Sequence, residues 1–179
     1  KALEDEKISV VAKRVKRSEG PFFQTLYEIH KIITLVFTGK SINFGNYSCL
    51  TKNDVITLSK QESLWSSFSG TVKKSITQLN TINSTRGSRY FGPSKMSLFN
   101  LAIHSFSIIA VFKSHVFLRG LVFGILILFF KSLLGLIFYL SISFLIIFLI
   151  LIYINSFREN IKDFLKSGDN IDNIKTYTH

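Results

Sequence analysis

One long apolar stretch, residues 116–154, constrains this sequence more than any other feature. It contains 39 residues, of which only Arg119 and Lys131 are charged. An α-helix rises about 1.5 Å per residue and a bilayer core is about 30 Å thick, so the stretch is too long for one crossing. It therefore predicts a hairpin of two transmembrane helices, at 116–133 and 136–154. One span preceded by a buried apolar helix is the alternative.

The distribution of positive charge predicts how this hairpin sits in the membrane. Residues 1–115 contain 16 Lys and Arg against 7 Asp and Glu, and further basic residues follow the second span. Cytoplasmic flanks of membrane helices are enriched in Lys and Arg, and two spans leave both ends on one side. We therefore expect a multi-pass protein of the inner (cytoplasmic) membrane, with both chain ends cytoplasmic and residues 156–179 as a cytoplasmic tail. Arg119 and Lys131 are expected to extend their charged ends toward the headgroups.

The basic part of the chain alternates strand-like and helical patterns. Runs at 8–12 and 76–84 are typical of strands, and apolar helices are predicted at 21–38 and 96–115. Pro21 suits the first helical turn because its φ is fixed. Apolar residues cover more than half of the helix at 21–38, so this helix is either sandwiched in a core or lies on the membrane. The alternation predicts an α/β domain docked onto a bilayer, with 96–115 as a juxtamembrane amphipathic helix.

A capping-box spacing predicts one more helix in this domain. Ser59 and Glu62 stand three residues apart, the spacing in which a serine hydroxyl and a glutamate carboxylate satisfy the first free N–H groups of a helix. We therefore expect a helix to begin at Ser59.

Two clusters of basic residues indicate a binding function, and each cluster follows a strand-like run. The first contains Arg14 and Arg17, and the second contains Arg86, Arg89 and Lys95. Guanidinium groups match phosphate oxygens bidentately and Lys adds a point charge, so both clusters are typical of phosphate binding. General attraction to anionic lipids explains the same charge and stays open. A nucleic-acid partner is disfavoured, because few aromatic residues interleave with the basic ones.

The residues that bind metals are sparse in this sequence. The single cysteine, Cys49, excludes a disulfide framework and a Cys-based zinc site. The four histidines are scattered without the spacing of metal ligands, and the acidic run at 4–6 is interpreted as a solvated turn. We therefore predict no metal site in this chain.

Four segments follow one another in an order that resembles a known enzyme family. They are the basic run 10–20, the apolar helix after it, the segment 37–50, and the loop Arg86-Gly-Ser-Arg89-Tyr-Phe-Gly92-Pro-Ser94-Lys95-Met96, and two apolar spans come next. This order is similar to that of bacterial family-2 glycosyltransferases of the membrane-anchored, polyprenyl-phosphate type, a group similar to dolichyl-phosphate mannose synthases. The loop matches the Arg-x-x-Arg-x-x-Gly-x-Ser-Lys pattern of that group. The resemblance extends over residues 8–155.

The resemblance implies a fold and an activity. The fold is a GT-A, Rossmann-like catalytic domain, of which residues 1–95 would be the C-terminal part, followed by interfacial helices and the transmembrane hairpin at 116–155. The activity is transfer of a sugar from a nucleotide-diphospho-sugar donor to a membrane lipid acceptor, polyprenyl phosphate. The family's divalent metal, Mg or Mn, belongs to an Asp-x-Asp motif in the front half, and this chain contains no Asp-x-Asp. We therefore expect the chain to be inactive by itself and to bind no metal.

The resemblance also implies roles for the basic residues. Arg14 and Arg17 would lie on the loop that leaves a late strand of the domain. Four further residues would bind the acceptor phosphate or the donor diphosphate: Arg86, Arg89, Ser94 and Lys95. The catalytic residues would belong to the front half, and a homo-oligomer is compatible with the pattern.

A protein of a different class stays open beside the enzyme. A non-enzymatic, basic membrane-anchoring or scaffold protein with a two-span hairpin would show the same charge and the same apolar stretch. It would not need the strand-like segments or the spacing of Arg86 and Arg89. The partners expected of the enzyme are a membrane lipid with its polyprenyl-phosphate acceptor and a nucleotide-sugar donor. A nucleic acid is not expected.

Overall fold

The computed structural model of the chain describes residues 8–16, 21–85, 97–167 and Asp169. The strands are β1 (Ser9–Lys16), β2 (Phe44–Cys49) and β3 (Leu79–Thr85). The helices are α1 (Pro21–Thr38), α2 (Lys52–Leu58), α3 (Phe68–Ser75), α4 (Leu98–Ala110), α5 (Lys113–Phe129), α6 (Lys131–Leu134), α7 (Leu136–Ser156) and α8 (Ile161–Leu165), with a 3₁₀ turn at Glu62–Trp65. The predicted α/β class is confirmed.

The strands form one mixed sheet of three strands in the order β2-β1-β3. The central strand β1 is antiparallel to β2 and parallel to β3. Val10 and Val11 of the predicted β-branched run lie near the start of β1, and both are buried. Adjacent side chains of a strand point to opposite faces, so both faces of β1 are covered here. The strands predicted near 8–12 and 76–84 are therefore confirmed, with shifted boundaries.

The two predicted apolar helices are also present in the structure. α1 begins at Pro21 and ends at Gly39, whose φ of 71° suits a residue without a side chain. The Gly39 N–H donates to the Leu35 carbonyl at 2.8 Å and so satisfies one of the last free carbonyls of the helix. α4 begins after Ser97, whose hydroxyl accepts from the Asn100 N–H at 3.2 Å.

The predicted capping box at Ser59 is wrong. Ser59 closes α2 instead, with its N–H on the Val55 carbonyl at 2.8 Å. α2 itself begins after Thr51, whose hydroxyl accepts from the Asp54 N–H at 3.2 Å. The helix expected to begin at Ser59 is divided into the 3₁₀ turn at Glu62–Trp65 and α3. The Ser67 hydroxyl accepts from the Gly70 N–H at 3.2 Å, so Ser67 and not Ser59 caps the helix that contains Val72.

Two long apolar helices, α5 and α7, follow α4. A bend of 92° separates α4 from α5, and the single turn α6 lies between α5 and α7. Among the described residues, one helical segment, Leu136–Leu165, is by itself long and apolar enough to cross a membrane, and the bent pair of α4 and α5 gives a second if it forms one span. The crossing of a membrane by both helices therefore stays a prediction.

Two glycines let α5 and α7 approach closely. A Cβ atom added at Gly120 would lie 2.8 Å from a Leu149 methyl group, and one at Gly124 would lie 3.8 Å from a Leu145 methyl group. Glycines four residues apart on one helix are typical of tightly packed membrane helices, because they allow two backbones to meet. The sequence contains this spacing, but the analysis of the sequence did not use it.

The sheet and the long helices share one hydrophobic core. Val11 and Phe44 of the sheet and Val72 of α3 belong to the same buried cluster as Phe148 and Ile152 of α7. α3 fits closely against the bend after α4, since a Cβ at Gly70 would lie 3.0 Å from a Val111 methyl group. The core therefore fixes the sheet relative to the apolar helices.

Candidate functional site

The two parallel strands end side by side at one edge of the sheet. Lys16, the last residue of β1, pairs with Thr85, the last residue of β3. Arg17 follows Lys16 in the chain and Arg86 follows Thr85, so the two basic segments leave the sheet from adjacent points. The carboxyl ends of parallel strands are the usual position of binding sites in α/β proteins, because the loops that follow them converge there.

One predicted site residue lies on a described strand. Arg14 belongs to β1, where its backbone pairs with Ser84 of β3, two residues before the carboxyl end of β1. The expectation that Arg14 lies on the loop after this strand is therefore wrong, because the strand extends to Lys16. The other predicted site residues lie outside the described residues: Arg17, Arg86, Arg89, Ser94 and Lys95. The structure therefore brings together the starting points of the two basic clusters.

The end of α1 leads to the same edge of the sheet. β2 begins at Phe44, which pairs with Lys13 near the carboxyl end of β1. Only the segment 39–43 separates Phe44 from the end of α1, and five residues span at most about 18 Å when fully extended. The end of α1 therefore lies near the points where the basic segments begin.

Arg119 of α5 holds the end of α1 in place. Its Nη1 donates to the Val36 carbonyl at 2.7 Å and to the Leu35 carbonyl at 3.4 Å. A Cβ at Gly39 would lie only 2.5 Å from Nη2, so the absence of a side chain there gives the guanidinium its place. The cation also faces the partial negative charge of a helix carboxyl end. Arg119 thus binds the end of a neighbouring helix, and the approach of its charge to the headgroups stays a prediction.

An apolar groove begins beside this contact and follows the hairpin. It has a volume of about 530 Å³ and is bounded by the end of α1 and by facing positions of α5 and α7. Its lining residues are Val36, Phe37, Phe123, Leu126, Ile127, Leu140, Ser141, Phe144 and Leu145. The Phe37 ring, which lines the groove, packs 5.3 Å from the Phe123 ring and 4.5 Å from the Phe148 ring. A groove with one hydroxyl among apolar side chains suits a hydrocarbon chain.

The base of the hairpin is fixed by polar contacts. Lys113 forms an ion pair of 2.8 Å with Glu159, and Arg158 donates to the Ser107 hydroxyl at 2.9 Å. Ser66, just after the 3₁₀ turn, donates its hydroxyl hydrogen to the Ser107 carbonyl at 3.0 Å. These contacts join the segment around the 3₁₀ turn to α4, to the start of α5 and to the residues after α7.

Metal ligands are not assembled in the part of the chain that the structure describes. Within residues 8–16, 21–85, 97–167 and Asp169, no group of three or more His, Cys, Asp or Glu side chains could hold a metal ion. Cys49 is exposed and free. The Asp54 carboxylate accepts from the fully buried Ser9 hydroxyl and so ties α2 to β1. The described residues therefore do not fit a divalent metal.

The sequence analysis missed three contacts that build this site: Arg119 with α1, Lys113 with Glu159, and Gly120 with α7. Only the glycine spacing leaves a signal in the sequence, whereas both charged contacts join residues far apart in the chain. Comparisons with family models, with curated proteins and with solved structures find no match to this chain. The described arrangement consists of a sheet edge, from which two Arg-containing segments start, and an apolar groove.

Proposed function

We propose that this chain is the acceptor-side and membrane-side part of a GT-A glycosyltransferase of family-2 type. The enzyme transfers a sugar from a nucleotide-diphospho-sugar to a lipid phosphate in the membrane, a polyprenyl phosphate. One observation supports this proposal above the others. The carboxyl ends of β1 and β3 each lead directly into an Arg-containing segment, and the short segment 39–43 joins that edge to an apolar groove.

The two parts of the site match the two parts of an amphiphilic acceptor. A polyprenyl phosphate has a long hydrocarbon chain and a charged head, so it needs an apolar surface next to a set of cations. The groove beside Phe37 offers the first, and the clusters that begin at Arg14 and Arg86 offer the second. A general lipid-attracting surface would need the charge but no groove that leads to it.

The chemistry of such a transfer depends on positioning. A lipid phosphate is already an anion at neutral pH, so it can attack the sugar with little help from a general base. The donor also bears a diphosphate, and cations must hold the two anions together while the glycosidic bond to the nucleotide breaks. Arg89 and Lys95 are our candidates for this role, with Arg86 and Ser94 as further phosphate ligands and Arg14 and Arg17 at the neighbouring strand end.

The proposal assigns the donor and the metal to another part of the enzyme. The described residues offer no ligand set for Mg or Mn, and we therefore assign both the metal and the nucleotide to a front half with an Asp-x-Asp motif. This chain would contribute acceptor binding and membrane attachment.

The same proposal includes a position in the inner membrane with both chain ends cytoplasmic. α1 exposes much of its apolar surface, with Phe22 at 59% and Ile32 at 61%, and α4 exposes Phe99 at 73%. α4 has 13 residues and is too short for a crossing, and α1 is not among the described helices that are long and apolar enough for a span, so we assign both to the membrane interface. A bilayer would cover side chains that are otherwise costly to expose to water.

Acceptor dependence tests the proposal. The full-length protein in membranes is incubated with a panel of radiolabelled nucleotide sugars and with polyprenyl phosphate, and radioactivity in the lipid fraction is measured. We expect transfer with one donor class and only to the phosphorylated lipid, with unphosphorylated polyprenol as the matched control. Folded, membrane-inserted protein that labels no lipid with any donor would favour the non-enzymatic anchoring protein instead.

A further inference from the structure

A patch of exposed apolar side chains surrounds the end of α7, in the region assigned above to a cytoplasmic tail. Its members are Trp65 in the 3₁₀ turn, Phe157 after α7, and Ile161 and Leu165 in α8, with exposed fractions of 51%, 65%, 57% and 74%. α8 packs beside the 3₁₀ turn, so the two parts of this patch lie next to each other. We call these four residues the tail patch.

The backbone beneath the tail patch is held by specific hydrogen bonds. Asn160 starts α8, since its side-chain oxygen accepts from the N–H groups of Lys162 at 3.0 Å and Asp163 at 3.4 Å. The 3₁₀ turn is fixed through the buried Ser63 hydroxyl, which accepts from Thr71 at 2.9 Å. A flexible tail would have no need of these caps. The apolar side chains therefore face outward from an ordered segment.

The tail patch adjoins the end of α7, so whatever covers the patch must also lie at the end of this helix. The patch continues the apolar surface of α7, because the Phe157 ring packs 4.8 Å from the Tyr153 ring, which in turn packs 6.4 Å from Phe117. From Ile137 to Phe157 a straight helix rises about 30 Å, which equals the thickness of a bilayer core. If α7 crosses the bilayer, Phe157 lies at the core boundary and the rest of the patch lies among the headgroups.

The chemistry of the tail patch matches this depth. Trp and Tyr are enriched at the boundary between the core and the headgroups, and Trp65 and Tyr153 are both half exposed there. Lys162 on α8 and Lys166 just after it are exposed and can extend to lipid phosphates, while Asp163 offsets part of their charge. A contact between the tail patch and the membrane therefore depends mainly on the burial of apolar side chains, as for a short interfacial helix.

We propose that the tail patch is a membrane contact, with α8 and Trp65 lying in the headgroup layer of the leaflet that holds the hairpin base. The segment 157–165 is then a lateral anchor on the membrane surface, beside the hairpin base. This inference rests on insertion of α7 and is independent of sugar transfer.

Trp65 is the only tryptophan of the chain, so its fluorescence tests the inference directly. The purified chain is reconstituted into phosphatidylcholine vesicles with or without lipids brominated near the headgroup, and acrylamide serves as the aqueous quencher. We expect bromolipids to quench Trp65 and acrylamide to quench it little. As a matched control, a tryptophan at the exposed Val55 of α2, in a Trp65→Phe background, should show the reverse.

A second pair of variants tests the role of α8. Ile161→Ser with Leu165→Ser should reduce the bromolipid quenching of Trp65, shift its emission to longer wavelength and increase quenching by acrylamide. Val55→Ser with Ile56→Ser removes comparable exposed apolar side chains from another short helix and should change none of these values. Efficient acrylamide quenching in the unmodified chain would overturn the inference. So would protection from both quenchers that depends on protein concentration, since a second copy would then cover the patch.

Discussion

Lys113 Nζ lies 2.8 Å from Glu159 Oε2, and this ion pair joins the first residue of α5 to a residue three places beyond the end of α7. The Glu159 side chain is 2% exposed, whereas that of Lys113 is 42% exposed. The other carboxylate oxygen, Oε1, is buried without a hydrogen-bond partner among the described residues. The negative charge of Glu159 is therefore compensated mainly by the ammonium group of Lys113.

This dependence predicts an asymmetric response to mutation. Lys113→Met leaves a buried carboxylate without its cation and should destabilise the chain by about 1–3 kcal/mol. Glu159→Gln should cost less, because Lys113 can reach water. The double variant Lys113→Met with Glu159→Leu should recover part of the loss, since no charge is then buried alone. Thermal unfolding in detergent measures the relative stability of the three variants. A double variant as unstable as Lys113→Met would contradict the prediction.

The basic loop after β3 should distinguish specific phosphate binding from general lipid attraction. Arg89→Ala or Lys95→Ala in the full-length enzyme should remove a charge-assisted hydrogen bond of about 1.5–3 kcal/mol, so that activity falls about ten- to a hundredfold. Arg89→Lys should recover only part of the activity, because it loses the bidentate fork.

Lys52→Ala and Lys60→Ala are the matched controls for the basic loop. Both residues are exposed, and Lys52 begins α2, which is tied through Asp54 to the start of β1, away from the carboxyl edge. These variants remove the same charge and should change activity little. If all four alanine variants lowered activity and membrane binding equally, the loop would be a general lipid-attracting surface.

Arg119 and Gly39 should be coupled, because one leaves the space that the other fills. Gly39→Ala places a Cβ where Nη2 now lies and forces a side chain into a left-handed conformation, which should cost about 1–2 kcal/mol. Arg119→Ala removes the carbonyl contact and should cost about 0.5–1.5 kcal/mol. The double variant should lose less than the sum, since the clash is gone. Chemical unfolding of the four proteins measures the coupling, and strict additivity would show that the contact is unimportant.

The two glycines of α5 should differ in their tolerance of alanine. Gly120→Ala adds a methyl group 2.8 Å from a Leu149 methyl group and should destabilise the helix pair by about 1–3 kcal/mol. Gly124→Ala meets its nearest neighbour at 3.8 Å and should be neutral or slightly stabilising. Thermal unfolding of these two otherwise identical variants provides the comparison. Equal effects would mean that α5 and α7 are not packed as described.

The orientation of the hairpin has its own test. A reporter fused after His179 and one inserted at 132–135 should report opposite compartments, with the first cytoplasmic, because basic residues flank the hairpin base. The same compartment for both would contradict two complete crossings.

Local patterns in the sequence predicted most of the elements but few of the contacts between them. The apolar helices at 21–38 and 96–115 were recognised because Pro21 and the apolar composition act over neighbouring residues. The capping box at Ser59 failed because Ser59 lies at the end of α2, and the next helix, α3, is capped by Ser67 instead. α3 packs through Gly70 against Val111, a residue far along the chain, and local spacing contains no signal of such a contact.

The candidate site was predictable only in part for the same reason. The spacing of Arg86 and Arg89 is visible in the chain, and it pointed to phosphate. The pairing of Lys16 with Thr85 joins residues far apart, and so does the bond from Arg119 to Val36, 83 positions away. Which distant segments meet is decided by the shared core, and a single sequence contains no direct signal of it.

The shared core has a consequence for the order in which the protein is made. The sheet is fully synthesised once Thr85 has left the ribosome, but Phe148 and Ile152, which complete its core, emerge more than sixty residues later. They also belong to the helix that we propose crosses the bilayer. If α7 crosses as proposed, the sheet edge can reach its final geometry only after α7 has been delivered to the membrane. A chain of this design would mature where its proposed acceptor resides, and copies that fail to insert would remain incompletely folded.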